Sequence, residues 1–266
     1  MNEEIRRGDF IGELHEHGSS NLFLVGIIMF SVGGLLSNLV SLSLYSIFGL
    51  GIFALPVIGF WMIYATCKEP EKYGKINTAL SLFRASAIIS LVWACLGVFL
   101  MFLGGLIAFV FGAAFVSYGG TAFIAVSLVI FIVAGGLLTI AIMYFKAILR
   151  VLNGIKDNML HDTFNMLEGV TVVTVLTCIF SALSIIFLLI LAALDGFFVS
   201  LANGTLPDEI MREIPPEVVN AFAEQYGTGA GSGFLVSTLF TLVSLTGGII
   251  CLVVLNKFNN EIKNTY

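Results

Sequence analysis

The sequence predicts an all-α integral membrane protein of six transmembrane helices, paired as three hairpins, with both termini cytoplasmic. Two observations carry this prediction. Hydrophobic residues make up 58% of the chain and charged residues only 11%, where a soluble domain carries about 25% charged residues. Most of the surface must therefore meet lipid. All but Arg212 of the 12 Lys and Arg residues fall in segments that alternate with apolar runs: Arg6–Arg7, Lys68–Arg84, Lys146–Lys156 and Lys257–Lys263. Basic residues concentrate in cytoplasmic loops, and each apolar block is long enough to leave and re-enter across a hydrocarbon core of about 30 Å.

Residues 1–21 are polar and read as a solvated cytoplasmic tail ahead of an uncleaved signal anchor, and residues 22–255 form the membrane domain. The first helix is expected from about Leu22 to Val40 and the second from about Ile47 to Ala65, joined by a serine-bearing outer turn. Pro56 removes a backbone donor inside the second helix and predicts a kink. The third runs from about Ala85 towards Phe115, Gly119-Gly120 makes an outer turn, and the fourth runs from about Ala122 to Tyr144. The fifth spans about Val170 to Leu194 and the sixth about Phe234 to Leu255, with a cytoplasmic tail at 256–266. Tyr45 and Tyr118 fall at outer boundaries, and Trp61, Tyr64 and Tyr144 at inner ones, where aromatic belts form.

The inner loops, 66–84 and 145–169, carry apolar residues at helical spacing: Tyr73, Ile76, Leu80 and Phe83 in the first, and Ile148, Leu152, Ile155 and Met159 in the second. Such faces either lie along lipid headgroups or extend the adjacent helices and pack on the bundle, and packing is favoured. The outer loop, 195–233, is acidic. Its Glu217–Tyr226 stretch reads as a short amphipathic helix tethered by the glycine-rich run 227–233.

Enzymatic chemistry finds no support in the sequence. An ionisable residue deep in the bilayer is costly and functional by default, but the apolar runs carry none. Asp195, at the outer end of helix five, is the nearest case. This argues against a proton-coupled carrier built on buried carboxylates and against an intramembrane aspartyl protease. The sequence contains no HExxH, P-loop or GxSxG motif. His15-Glu16-His17, with Glu13 nearby, resembles a metal-binding tripeptide, but in a solvated tail it makes a weak site. Neither a metal nor another cofactor is expected. The four cysteines, Cys67, Cys95, Cys178 and Cys251, show no disulfide or metal spacing. Topology accounts for the basic residues, so nucleic acid is not an expected partner.

Two patterns within the membrane stand out. Gly104, Ala108 and Gly112, with Gly97 seven residues before them, form a small-residue stripe on helix three that lets another helix approach closely. Thr174, Thr177, Ser181 and Ser184 share one face of helix five. Ser237, Thr241 and Ser244, continued by Gly248 and Cys251, share one face of helix six. The two hydroxyl faces either line a polar path between these helices or pack as small-residue seams with hydroxyls bonded one turn back.

The run Leu55-Pro-Val-Ile-Gly-Phe-Trp-Met-Ile-Tyr-Ala65, preceded by Leu22-Phe-Leu-Val25 and followed by Lys72-Tyr-Gly-Lys75, resembles segments of multispanning membrane proteins of Gram-positive bacteria. The resemblance covers the first third of the chain and implies a bacterial cytoplasmic membrane, without an activity. The leading expectation is a non-enzymatic assembly module that meets a second copy or another membrane protein through the helix-three stripe. The alternative is a channel or facilitative transporter with its path between helices five and six.

Overall fold

A computed structural model describes residues 9–40, 44–68, 74–114, 121–161, 163, 165–203 and 230–264. The chain forms seven α-helices among these residues, with no strand: α1 (Asp9–Gly18), α2 (Asn21–Val40), α3 (Leu44–Lys68), α4 (Gly74–Ala114), α5 (Thr121–His161), α6 (Val170–Ala202) and α7 (Ala230–Asn264). All but α1 are long and apolar enough to cross a membrane. Helices suit that setting because each satisfies its own backbone polar groups where no water reaches. The serine turn before Leu44, the Gly119-Gly120 turn and the acidic stretch Glu217–Tyr226 lie outside the described residues.

The membrane helices pack in a closed ring. Each contacts its chain neighbour, and α7 returns onto α2. Glycines and aromatic rings set the spacings. Between α2 and α3, Phe30 meets Phe53 and Phe60 with ring centroids 4.8 and 5.6 Å apart, and Phe60 passes the contact on to Phe83 of α4 at 4.8 Å. Gly34 leaves room for the Phe53 ring. Trp61 Nε1 donates to Ser31 Oγ at 3.2 Å. Helix α3 runs unbroken through Pro56.

The closest approach is between α2 and α7, where backbone meets backbone. A Cβ added at Gly33 would stand 2.6 Å from the Ser244 nitrogen and 2.7 Å from the Phe240 carbonyl oxygen. One at Gly26 would stand 3.2 Å from the Cys251 nitrogen, and one at Gly247 would strike the Phe30 nitrogen. Lipid offers no hydrophobic reason for helices to associate, so close packing and hydrogen bonds across the seam must hold it. Ser244 Oγ donates to the Phe30 carbonyl at 3.0 Å, and Ser37 Oγ lies 2.7 Å from Thr241 Oγ1 and 3.2 Å from Ser237 Oγ.

Helices α4 and α5 each run 41 residues, about 60 Å at 1.5 Å per residue, twice the hydrocarbon thickness. The predicted inner loops are thus largely helical extensions, because their apolar faces continue into a packed core. That core joins Phe10 of α1, Ile76 and Leu80 of α4, Val151, Leu152 and Ile155 of α5, Leu167 just before α6, Val173 in its first turn, and Phe258 and Ile262 of α7. It gathers at the end of the bundle that carries the lysines and arginines, referred to below as the basic end.

Two asparagines fix the connection into α6. Asn158 donates through Nδ2 to the Asn165 carbonyl at 2.7 Å, and its Oδ1 accepts from the Thr163 hydroxyl and the Asn165 amide. Asn259 Oδ1 accepts from the buried Leu167 amide at 2.8 Å. Gly169, at φ +96°, then turns the chain where a Cβ would meet the Ala147 carbonyl at 2.8 Å. Replacing Asn259 with leucine strands the Leu167 amide. The expected loss is roughly 1–3 kcal/mol, read as earlier thermal unfolding in detergent.

The amino-terminal segment differs from expectation. Residues 9–18 form a docked helix rather than a solvated tail, because Phe10 buries its ring against Phe258 at 5.5 Å. The Ser20 hydroxyl makes the sharp joint into α2: it donates to the His17 carbonyl at 2.7 Å and accepts from the Phe23 amide at 3.2 Å, an N-cap contact.

Candidate functional site

A half-open cavity of about 650 Å³ lies within the ring, lined by residues of all seven described helices. That volume lies within the range of small-molecule sites, roughly 300–1,000 Å³. Its walls are mainly apolar. Phe23, Phe60 and Phe83 supply rings on one side, and Leu152, Val173 and Phe258 close the basic end. Polar atoms come from a band of hydroxyls: Ser86 and Ser90 on α4, Tyr144 on α5, and Thr177, Ser181 and Ser184 on α6. Tyr144 Oη lies 3.0 Å from Thr177 Oγ1, which fixes one edge of that band.

No Asp, Glu, Lys or Arg lines the cavity among the described residues, and His17 is its one histidine. An ion entering it would lose hydration with no opposite charge to replace it, a cost of several kcal/mol. An uncharged molecule with a long apolar part and a hydroxyl or carbonyl matches the walls and the hydroxyl band.

The two hydroxyl faces expected to meet are separated. Thr177, Ser181 and Ser184 face the cavity. Thr174, one turn nearer the basic end, holds a buried Oγ1 with no hydrogen-bond partner. Ser237, Thr241 and Ser244 turn to α2 and bond there. A path between the two faces does not form, because Gly26, Gly33 and Gly247 draw α7 onto α2. Ser86 and Ser90, absent from the expected site, supply the opposite wall. Their four-residue spacing on α4 was the available signal.

The expected packing stripe is likewise divided. Gly97 and Gly104 are exposed, and a Cβ at either would meet nothing within 4 Å. Ala108 is half-buried and Gly112 buried. Gly105 of α4 does touch α5, and a Cβ there would stand 2.8 Å from the Phe131 ring.

Below the cavity, His17 is buried between α1 and α7. Its Nδ1 lies 3.1 Å from the Glu13 carbonyl and its Nε2 lies 2.9 Å from Glu261 Oε2. Glu13 is held above its ordinary value of 4.5, first by burial and next by the charge of Glu261, with His17 opposing.

Comparison with protein-family models, with curated proteins and with solved structures finds no match to the chain.

Proposed function

We propose that the chain is a multi-pass protein of a bacterial cytoplasmic membrane that binds an uncharged amphipathic molecule in its central chamber and passes it within or across the bilayer, without covalent chemistry. The supporting observation is the apolar chamber with its single band of hydroxyls. The four basic segments support a cytoplasmic location for both termini and the basic end, with three hairpins that leave and re-enter from that side. This reading keeps the hydroxyl face of α6 as part of the path and moves its opposite wall from α7 to α4.

Photolabelling tests the proposal directly. A diazirine-bearing dodecanol, added to the protein in nanodiscs, is expected to label residues around Ser86, Ser90 and Ser181, with excess plain dodecanol suppressing the adducts. Adducts confined to lipid-facing positions such as Leu183 and Val110, unmoved by the competitor, would contradict the reading.

A second reading, assembly with another copy or a membrane partner, is favoured by the open face at Gly97 and Gly104. Ala108→Leu adds bulk beside that face. If assembly uses it, the oligomer seen by cross-linking in native membranes falls apart while the chamber still labels. An unchanged oligomer distribution removes this reading.

A further inference from the structure

Glu13 and His17 of α1 meet Glu261 of α7 at the basic end, and one donor atom from each lies within 4.8 Å of the other two. The buried imidazole makes this more than a pair of surface carboxylates: His17 is 7% exposed. A carbonyl oxygen only accepts, so the 3.1 Å contact to the Glu13 carbonyl commits His17 Nδ1 as the proton donor. In the neutral ring, Nε2 is then left with its lone pair, the tautomer that binds metals.

Nε2 is buried and makes no hydrogen bond, yet Glu261 Oε2 stands only 2.9 Å away. Two lone-pair atoms at that distance repel unless a proton or a cation answers both. The contact is close enough for a hydrogen bond yet makes none, and the Glu13 and Glu261 carboxyls are themselves drawn together by a side-chain hydrogen bond. Two ligands of one ion sit about 3 Å apart and converge on a third point instead.

We propose that Glu13, His17 and Glu261 bind a divalent transition-metal ion, for which one imidazole and two carboxylates suit Zn²⁺. Three protein donors leave a position for water. The side chains of Glu13 and Glu261 are 34% and 39% exposed, so the ion has an entry route from solvent. Lys257 Nζ reaches the other oxygen of Glu261, at 3.6 Å, and its side chain is 67% exposed, free to swing away as the ion enters. The ion clamps the first described helix to the last at the basic end of the bundle. The site stands independently of what the chamber holds.

The test uses full-length protein in detergent, stripped with a chelator and titrated with Co²⁺ and then Zn²⁺. One Co²⁺ per chain is expected, with the visible absorption of a low-coordinate site, displacement by Zn²⁺ and a higher melting temperature. His17→Gln and Glu261→Gln each lower affinity by at least about tenfold, while His15→Gln leaves it unchanged. Glu13→Gln, at a more exposed position, repeats the test should the buried His17 variant fold poorly. Absence of the Co²⁺ spectrum, or affinity that survives both Glu13→Gln and Glu261→Gln, overturns the proposal and leaves an imidazolium–carboxylate contact.

Discussion

Gly247→Ala is expected to be among the most damaging single-methyl changes in the membrane domain. The new Cβ falls on the Phe30 nitrogen and 2.6 Å from the Gly26 carbonyl oxygen. Both are backbone atoms of α2, so no rotamer change relieves the clash. The helices must part, and the contacts that depend on their closeness go with them: Ser244 to the Phe30 carbonyl and Ser37 to Thr241. Overpacking costs roughly 1–3 kcal/mol, and the upper end applies where the obstacle is backbone. Gly104→Ala is the matched control, since its methyl meets nothing within 4 Å. That change is expected to be neutral or stabilising by up to about 1 kcal/mol, because glycine weakens a helix interior by that much relative to alanine. Unfolding followed by circular dichroism in mixed micelles separates the two variants, and equal stabilities would remove the α2–α7 seam from the account.

Ser90→Trp has the second large expected effect, on binding rather than on stability. Ser90 stands on the chamber wall with an exposed side chain, so an indole there fills space that the ligand needs without displacing packed atoms. Competition by dodecanol is expected to weaken at least about tenfold, equivalent to about 1.4 kcal/mol, with the melting temperature little changed. Leu183→Trp, on an exposed lipid-facing position, leaves binding intact. Full competition in Ser90→Trp would place the ligand elsewhere.

The six long apolar helices were legible in the sequence, because length and apolar character are properties of local composition. The packing role of Ile76, Leu80, Leu152 and Ile155 was legible too, since helical spacing alone assigns them to one face. Which helix each face meets was not. Ser181 and Ser244 belong to equally regular hydroxyl faces, yet one lines the chamber and the other bonds to α2. Periodicity fixes the direction of a face within its own helix and carries nothing about its neighbour.

Residue-level precision failed for a related reason. Gly104 and Gly105 differ by one position, about 100° around the helix, which separates an open face from the α5 contact. Gly26, Gly33 and the Gly247-Gly248 pair held the signal for the tightest seam, but they lie on helices far apart in the chain. His17 was obscured similarly. Its burial depends on Phe10 meeting Phe258, a contact between opposite ends of the chain that no local pattern announces.

Thiol labelling of single cysteines, in a background without the four natural ones, tests the chamber most directly. Cysteines at Ser90, Thr177 and Ser181 probe its walls, and cysteines at Thr241 and Ser244 probe the seam with α2. With a small uncharged maleimide, the account predicts modification at the three wall positions, blocked by dodecanol, and none at the two seam positions. Modification at Thr241 and Ser244 matching that at Thr177 and Ser181 would mean that the two hydroxyl faces share one path, contradicting the ring and its chamber.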